Sequence, residues 1–380
     1  MEAVLENILS IDKSDWKPVK FGDVVFEPKE SSKDLSADGI KHVVGLEHIS
    51  SEDIHLRNSK GIEEPTTFTK RFSVNDVLFG RRRAYLKKAA QASFEGVCSG
   101  DITVFRAKDK LIPELLPFIV NNEKFFDYAI KHSAGGLSPR VKFKDLVNYE
   151  FLLPPKDQQA KLAELLWAMD EVVEREREVL TKLTIDKTVS LKDFFKKDTK
   201  EFQLKQIGKI ITGSTPSTKN TDYWNGNIQF VTPSDLETQI VVDKTERYIT
   251  EEGLKVTREI PPNSVMIVCI ASVGKMGISS ETCATNQQIN SIIPNKDINP
   301  KYLYNTLSLF IHRIISRAAN SVVPILNKSD FSLIKIPLLD RIEREEFVKI
   351  AEKFDKSITD FKSRITSSQS LQKSLINQIF

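Results

Sequence analysis

The residues best suited to chemistry in this chain are basic side chains gathered in one short segment. GRRRAYLKK at 80–88 carries the candidate contacts Arg81, Arg82, Arg83, Tyr85, Lys87 and Lys88. Guanidinium groups can bind guanine through two hydrogen bonds, and ammonium groups can bind phosphates. A solvated basic turn is the alternative, and the segment alone does not separate the two. The cluster predicts a DNA contact in the first half of the chain.

A second candidate surface lies in the other half and is polar rather than basic. GSTPSTKNTDYWNGNIQFVTPSDL at 213–236 is rich in Ser, Thr and Asn. Amide and hydroxyl side chains read base edges or anchor phosphates. The candidates here and in the loops that follow are Ser217, Lys219, Asn220, Tyr223, Ser272, Lys275, Asn286 and Gln287. Tyr223 and Trp224 could instead pack the loop, and a loop Asn is often a turn former.

The two candidate surfaces belong to two copies of one sequence pattern. Residues 72–108 align without a gap on 260–296, which puts Lys87 on Lys275 and Lys108 on Lys296. HVVGLEHI at 42–49 aligns with QFVTPSDL at 229–236, and 138–154 lies near 323–337. A period of roughly 185 residues indicates a duplicated domain rather than a solenoid. Short β-branched runs bounded by turn formers predict a mixed α/β domain in each copy.

Each copy is followed by a long charged stretch that predicts a helix. Residues 157–197 contain no Gly or Pro and place apolar residues three or four apart, and the last part of the chain repeats this. Such a stripe is typical of a coiled-coil seam, so we expect the two helices to pair antiparallel. The alternative is that each helix packs only on its own domain. The residues expected in this partner-binding stripe are Leu162, Leu165, Met169, Val172, Phe354, Ile358, Phe361 and Ile365.

The predicted fold class is α+β, with two similar mixed α/β domains separated by two long antiparallel helices. The predicted segments are an N-terminal one at 1–14, a first domain at 15–155, a central helix at 156–198, a second domain at 199–338 and a C-terminal helix at 339–380. Residues 1–14 are expected to complete the helical region near the C-terminal end. This circular organisation predicts a pseudo-twofold arrangement.

Motifs of catalysis are missing from the sequence. HExxH, GxSxG, NPPF and DPPY do not occur, and Gly274-Lys275 is followed by Met276 rather than by a Walker A continuation. The three cysteines form no CxxC, which argues against a metal site and for a reducing cytoplasm. No run of eighteen apolar residues could cross a membrane. The net charge of +3 leaves DNA binding open. A duplicated chain without a duplicated catalytic cluster favours a binding protein that uses no cofactor.

The chain resembles the specificity subunits of Type I restriction–modification enzymes over residues 15–380. The resemblance is carried by the 213–236 segment, by NSVMIVCIASVGKMGI, and by the passages LLPPKDQQAKLAELLWAMDEVV and IPLLDRIEREEFVKIAEKFDKSI that begin the helices. Two departures stand out: the first copy lacks the Gly-Ser-Thr-Pro stretch, and Arg341-Ile342 stand where the first helix has Gln158-Gln159.

The resemblance implies a non-catalytic subunit that reads a bipartite target in double-stranded DNA. Each half would read one part, and the helices would fix the spacer between them. The implied partners are two modification (methyltransferase) subunits and two restriction (ATP-dependent translocase and endonuclease) subunits. Two other hypotheses remain: an autonomous enzyme such as a nuclease with an unfamiliar site, and a coiled-coil scaffold without a nucleic-acid role.

Overall fold

A computed structural model describes residues 12–197, 199–236, 240–318 and 323–380. The chain divides into two compact units, the first formed by residues up to Glu178 together with Lys362–Phe380 and the second by Val179–Phe361. Most of the predicted N-terminal segment at 1–14, namely residues 1–11, lies outside the described residues. The predicted α+β fold class with two mixed units and two long helices is confirmed. None of the described helices is long and apolar enough to span a membrane.

Within its described residues, the first unit has nine short strands and four short α-helices before the long one. The strands are β1 Lys17–Lys20, β2 Val25–Phe26, β3 Val43–Val44, β4 Lys70–Phe72, β5 Val77–Gly80, β6 Ala89–Gln91, β7 Gly96–Cys98, β8 Ile102–Ala107 and β9 Glu150–Leu153. The helices are α1 Phe21–Val24, α2 Leu116–Val120, α3 Glu123–Lys131, α4 Phe143–Leu146 and the long α5 Lys156–Asp193.

The strands of the first unit form small sheets rather than one large one. Their orders are β2-β8-β5-β6, β3-β7-β4 and the pair β1-β9. An aromatic cluster fills the space between the four-stranded sheet and the helices, with Phe21, Phe79, Phe105 and Phe125 fully buried. Burial of such rings is worth roughly 1.5–3 kcal/mol each, so this cluster is a main source of stability for the unit.

The second unit repeats this arrangement. Its strands are β10 Glu201–Gln203, β11 Gly208–Thr212, β12 Trp224–Val231, β13 Val241–Val242, β14 Arg247–Ile249, β15 Val265–Val268, β16 Met276–Ser279, β17 Cys283–Thr285, β18 Ile289–Pro294 and β19 Lys335–Pro337. Its helices are α6 Leu204–Ile207, α7 Glu251–Lys255, α8 Pro300–Leu309, α9 Ile311–Ala318, α10 Lys328–Ser332 and the long α11 Arg341–Ile379. The sheet orders are β11-β18-β15-β16-β13, β14-β12-β17 and β10-β19.

The sequence repeat is confirmed, but the gap-free register is wrong by one residue after β5. The two copies agree before that point, since Asn75 and Asn263 have φ of 70° and 65°. After it, Gly80 N–H bonds the carbonyl of Lys88, whereas Val268 N–H bonds that of Lys275. Lys275 is therefore the equivalent of Lys88 rather than Lys87. The difference arises because the turn of the first copy is one residue longer, which pairwise residue similarity does not reveal.

The two long helices pack against each other in antiparallel fashion within each unit. In the first, Glu176 of α5 accepts hydrogen bonds from Arg364 Nε at 3.2 Å and Ser368 Oγ at 3.0 Å of α11. In the second, Lys187 Nζ lies 2.6 Å from Asp355 Oδ1. Polar residues thus occupy positions in the seam, which is a common means of fixing the register of a coiled coil.

The predicted apolar stripe is correct for most of its members and wrong for Val172. Leu162 and Ile365 are buried, and five others are at least half-buried: Leu165, Met169, Phe354, Ile358 and Phe361. Val172 is 51% exposed, whereas Val173 is buried. The seam continues through Asp170, Val173 and Glu176. A pattern based on apolar residues alone could not follow it, because two of these three are acidic.

The C-terminal end of the chain packs on the first unit, as the circular organisation predicts. Ile379 is fully buried in the aromatic core of this unit, and the Phe380 ring lies 6.5 Å from that of Phe151. Lys13 Nζ donates to the carbonyls of Gln378 and Ile379 at 2.7 and 2.8 Å. This ammonium satisfies carbonyl groups that the end of α11 leaves without helical partners.

Candidate nucleic-acid interface

The arginine segment of the first unit forms an irregular turn after β5, stabilised by a carboxylate. Arg82 Nη1 and Arg140 Nε lie 3.2 and 2.7 Å from the two oxygens of Asp101. Hydrogen bonding by Arg140 holds the pKa of Asp101 below its usual value. Arg82 also donates to Ser138 Oγ at 3.1 Å. One aspartate thus orients two guanidinium groups at one edge of the unit.

Arg83 and Tyr85 are both exposed in this turn. Arg83 has a φ of 55°, and its backbone N–H bonds the carbonyl of Pro139 at 2.8 Å. Tyr85 is 52% exposed. A non-glycine residue in the left-handed region is uncommon and requires support from its surroundings. The structure therefore presents the Arg83 side chain outward from a turn that is fixed by tertiary contacts.

Lys87 and Lys88 are bound within the first unit. Lys87 Nζ lies 3.1 Å from Glu123 Oε1 and 3.8 Å from Glu52 Oε1. Lys373 bridges the same two carboxylates at 2.9 and 2.8 Å. Lys88 Nζ donates to the carbonyl of Leu46 at 2.7 Å. Both ammonium groups have partners already, so the structure separates them from Arg83, although Arg83 and the two lysines belong to one short segment of the sequence.

The polar loop of the second unit brings several predicted residues together. Thr215 Oγ1 donates to Gln287 Oε1 at 2.7 Å, and Trp224 Nε1 donates to the carbonyl of Ser217 at 3.1 Å. Asn220 caps the turn that carries Tyr223 by accepting a hydrogen bond from Asp222 N–H at 3.1 Å. Ser217, Asn220, Tyr223 and Gln287 therefore belong to one surface. Lys219 lies exposed on the same loop.

Asn286, Ser272 and Lys275 lie in two other turns of the second unit. Asn286 forms a local turn with Gln288, whose backbone N–H it accepts at 3.0 Å. Ser272 and Lys275 lie between β15 and β16, in the equivalent of the arginine turn. Ala271 there has a φ of 62°, and its N–H bonds the carbonyl of Pro324 at 2.9 Å, as Arg83 bonds Pro139. The turn geometry is repeated, whereas the arginines are not.

Sequence reasoning missed Arg247, which lies at the edge of the polar loop. Its guanidinium carbon lies 3.8 Å from the centroid of the Trp224 ring. Only the register between β12 and β14 brings the two residues together, with Phe230 opposite Arg247. In the sequence, only the adjacent Tyr223 and Trp224 indicate an aromatic contact at this edge of the polar loop.

Comparison with known proteins identifies the chain. The sequence pattern described as the Type I restriction modification DNA specificity domain matches it twice, at residues 13–184 and 196–368. The chain belongs to this family. It is 31% identical over 171 residues to the Type I restriction enzyme MjaIX specificity subunit of Methanocaldococcus jannaschii, and 35% identical over 162 residues to the EcoR124I/EcoR124II specificity subunit of Escherichia coli. The matches cover 43% and 40% of this chain but only 39% and 40% of those relatives.

Solved structures show the same fold over nearly the whole chain. A chain from work on complex assembly and conformational transition of the type I R-M system matches with a TM-score of 0.56 at 18% identity, covering 96% of both chains. The Type-I restriction-modification system S subunit from M. genitalium matches with a TM-score of 0.55 at 14% identity, covering 98% of both. The arrangement of two specificity domains and two long helices is thus shared at low sequence identity.

The surroundings of His48, Cys98 and Cys283 in this specificity-domain protein indicate structural rather than catalytic roles. His48 Nδ1 accepts the Gly45 N–H at 2.8 Å, and the equivalent Asp235 accepts the Thr232 N–H at 2.7 Å. Burial raises the pKa of the Cys98 and Cys283 thiols to about 12, so both are poor nucleophiles. Within the described ranges, no cluster of His, Cys, Asp and Glu could hold a metal ion.

An ion-pair cluster attaches the loop before β4 to the helix α5 of the first specificity domain. His55 Nε2 lies 2.7 Å from Asp170 Oδ2, and Arg57 lies 2.7 Å from Glu174. Asp170 is almost fully buried, so its carboxylate depends on this partner and on Gln372. Hydrogen bonding to Asp170 raises the pKa of His55 above its usual 6.5.

We expect this contact to make the first unit more stable at mildly acidic pH. Because the pKa of His55 is higher in the folded chain, its contribution is complete below about pH 6.5 and is lost as the pH rises through the folded-state value. Denaturant unfolding of wild type and His55→Gln between pH 5.5 and 8.5 measures this. The difference in unfolding free energy between the two proteins should shrink as pH rises. A difference that is constant or grows with pH would contradict the assignment.

Proposed function

We propose that this chain is the sequence-specific DNA-recognition subunit of a Type I restriction–modification enzyme. The two matches to the DNA specificity domain, one in each half of the chain, are the observation that carries the proposal. Each half has its own exposed polar or basic loop, which follows β5 in the first unit and β11 in the second. Two such surfaces are what a bipartite target requires, with each half reading one part.

The proposed recognition domains are residues 15–155 and 199–338, joined by the long helices. The proposed reading surface of the first is the turn of Arg81–Arg83 and Tyr85. That of the second is the loop of Ser217, Lys219, Asn220 and Tyr223 with Gln287. The helix α5 has 38 residues, which at 1.5 Å per residue makes a rod of about 57 Å. A rod of this length can hold two reading surfaces one DNA turn apart, about 34–36 Å.

Chemistry would come from other subunits of the complex. We propose two modification subunits that methylate DNA and two restriction subunits that translocate and cut it, with this chain as their scaffold in the cytoplasm. The exposed faces of α5 and α11, which include Val172, are the proposed docking surfaces for the modification subunits. The chain itself contributes target choice and geometry.

Methylation mapping tests the proposal directly. The chain is co-expressed with a candidate modification subunit, and modified bases are detected across the genome. A bipartite motif with a fixed gap, absent from cells that carry the modification subunit alone, is the expected result. A stable complex that yields no such motif in cells would count against target recognition and would favour a scaffold role.

A neighbouring pair of cations provides a sharper test of the first reading surface. We expect Arg83→Gln to lower DNA affinity and to reduce the slope of log affinity against log salt by about one, because an exposed arginine on this turn can release one phosphate counterion. Lys87→Gln is the matched control, and it should leave the slope unchanged because its ammonium already pairs with Glu123. Binding of the complex to its mapped duplex is measured at several salt concentrations. If the slope of log affinity against log salt is the same for both variants, Arg83 does not contact a phosphate in the interface.

A further inference from the structure

A guanidinium group lies over an indole ring at the edge of the second unit. Arg247 Cζ lies 3.8 Å from the Trp224 ring centroid and 5.7 Å from that of Phe230. Arg247 is exposed, and no ion pair within the described part of the chain includes it. Stacking fixes the plane of the guanidinium while its N–H groups stay available. The structure therefore holds an oriented set of donors that has no acidic partner among the described residues.

The backbone is built to make this stack. Arg247 on β14 lies opposite Phe230 on β12, and an irregularity in β12 sets both Trp224 and Ile228 against Ile249. Asn225, within the irregularity, has a φ of 62°. Bulges of this kind re-aim side chains. The indole is then fixed by its hydrogen bond to the Ser217 carbonyl at 3.1 Å and by an edge contact with the Phe230 ring at 5.1 Å.

An open cleft of about 390 Å³ adjoins the stacked arginine. The residues that line it include Thr218 and Thr221 of the polar loop and Glu246, which precedes Arg247 in the chain. The acidic residue Glu246 in the lining of this cleft disfavours a phosphate there, since like charges repel. The same pair of groups suits a base pair in the major groove, where arginine binds guanine O6 and N7 and a carboxylate accepts from the cytosine amino group.

We propose that Arg247 is a specificity-determining residue that reads a guanine in the part of the target bound by the second unit. Trp224 is its positioning residue. The inference rests on the proposed function and deepens it by assigning one base. Fixed orientation is what distinguishes this role from a phosphate contact, because bidentate binding to a base edge requires a defined plane.

The experiment uses the complex with its modification subunit and duplexes that carry the mapped motif. Each guanine is replaced singly by 7-deazaguanine, which lacks the N7 acceptor. Wild type should lose about tenfold in affinity at one guanine, the loss of one hydrogen bond in a desolvated pair. Arg247→Gln should bind the natural motif about 5- to 150-fold more weakly and a random duplex unchanged. At the guanine in question, the variant should be insensitive to 7-deazaguanine.

Further variants separate the base contact from general effects. Arg317→Gln removes another exposed arginine of the second unit, one that pairs with Asp330, and should leave binding unchanged. Arg247→Lys keeps the charge and should keep random-duplex affinity, yet lose discrimination at the same guanine. Trp224→Leu should lose discrimination in the same selective way while melting and circular dichroism confirm that it is folded.

Each outcome bears on the inference. Equal weakening of Arg247→Gln on motif and random duplexes, with a salt slope reduced by about one, indicates a phosphate contact and overturns it. Specific binding by wild type without any Arg247-dependent guanine also overturns it but leaves the proposed function intact. If the wild-type complex binds motif and random duplexes equally, both the proposed function and the inference fall.

Discussion

Removal of one heptad from each long helix is expected to change the spacer that the complex prefers. We would delete residues 179–185 of α5 together with 356–362 of α11. Seven residues shorten each helix by about 10.5 Å, and DNA rises about 3.4 Å per base pair, so the optimal spacer should shorten by up to about three base pairs. Affinity for the original target should fall about 100-fold or more, because misplacing one half loses several base contacts at about 1–3 kcal/mol each.

The deletion is chosen to keep the helix seam intact. A heptad preserves the facing side chains of a coiled coil, and the flanking pairs Glu176 with Arg364 and Lys187 with Asp355 both remain. Selection from a library of duplexes with gaps of different length, followed by methylation, reports the preferred spacer. Deletion from α5 alone is the control and should abolish specific methylation at every spacer. If the double deletion leaves the preferred spacer unchanged, the length of the helices does not determine the spacer length.

The large features of the molecule could be predicted because they repeat or extend over many residues. The duplication, the two long helices and the packing of the chain's C-terminal end on the first unit all depend on patterns summed over tens of positions. One wrong position, such as Val172, does not change such a sum. The fold class was therefore accessible without any knowledge of which strands pair.

Individual contacts could not be predicted because they depend on residues far apart in sequence. No pattern in the neighbouring sequence indicates that Lys87 pairs with Glu123 while Arg83 is exposed. The turn is one residue longer in the first copy, and only the strand ladder shows it. Arg247 was missed for the same reason, since a bulge in β12 sets Trp224 over it. Pairing across strands determines which charges have partners, and register is the property that a single sequence specifies least visibly.

Truncation of Phe79 is expected to have the largest effect on stability. Phe79 is fully buried on β5, with ring centroids 5.3, 5.7 and 5.9 Å from those of Phe105, Phe125 and Phe126. Phe79→Ala removes these contacts and leaves a cavity that rigid neighbours fill only partly, at a cost of about 3–5 kcal/mol. For a unit of this size that corresponds to a fall in melting temperature of about 6–20 °C. Denaturant unfolding and hydrogen–deuterium exchange measure the loss, which should concentrate in β5, β6 and β8.

The second copy supplies the matched control for this substitution. Ile267 takes the place of Phe79 on β15 and is also fully buried, so Ile267→Ala should cost about 2–5 kcal/mol and lower exchange protection in β15, β16 and β18 instead. A loss below about 1 kcal/mol for Phe79→Ala would mean that the aromatic cluster does not hold the sheet. Because β5 leads directly into Arg81–Arg83, Phe79→Ala should also reduce base specificity in the half of the motif that the first unit reads. Ile267→Ala should leave that half unchanged, which ties the packing of the first sheet to the base sequence that its turn selects.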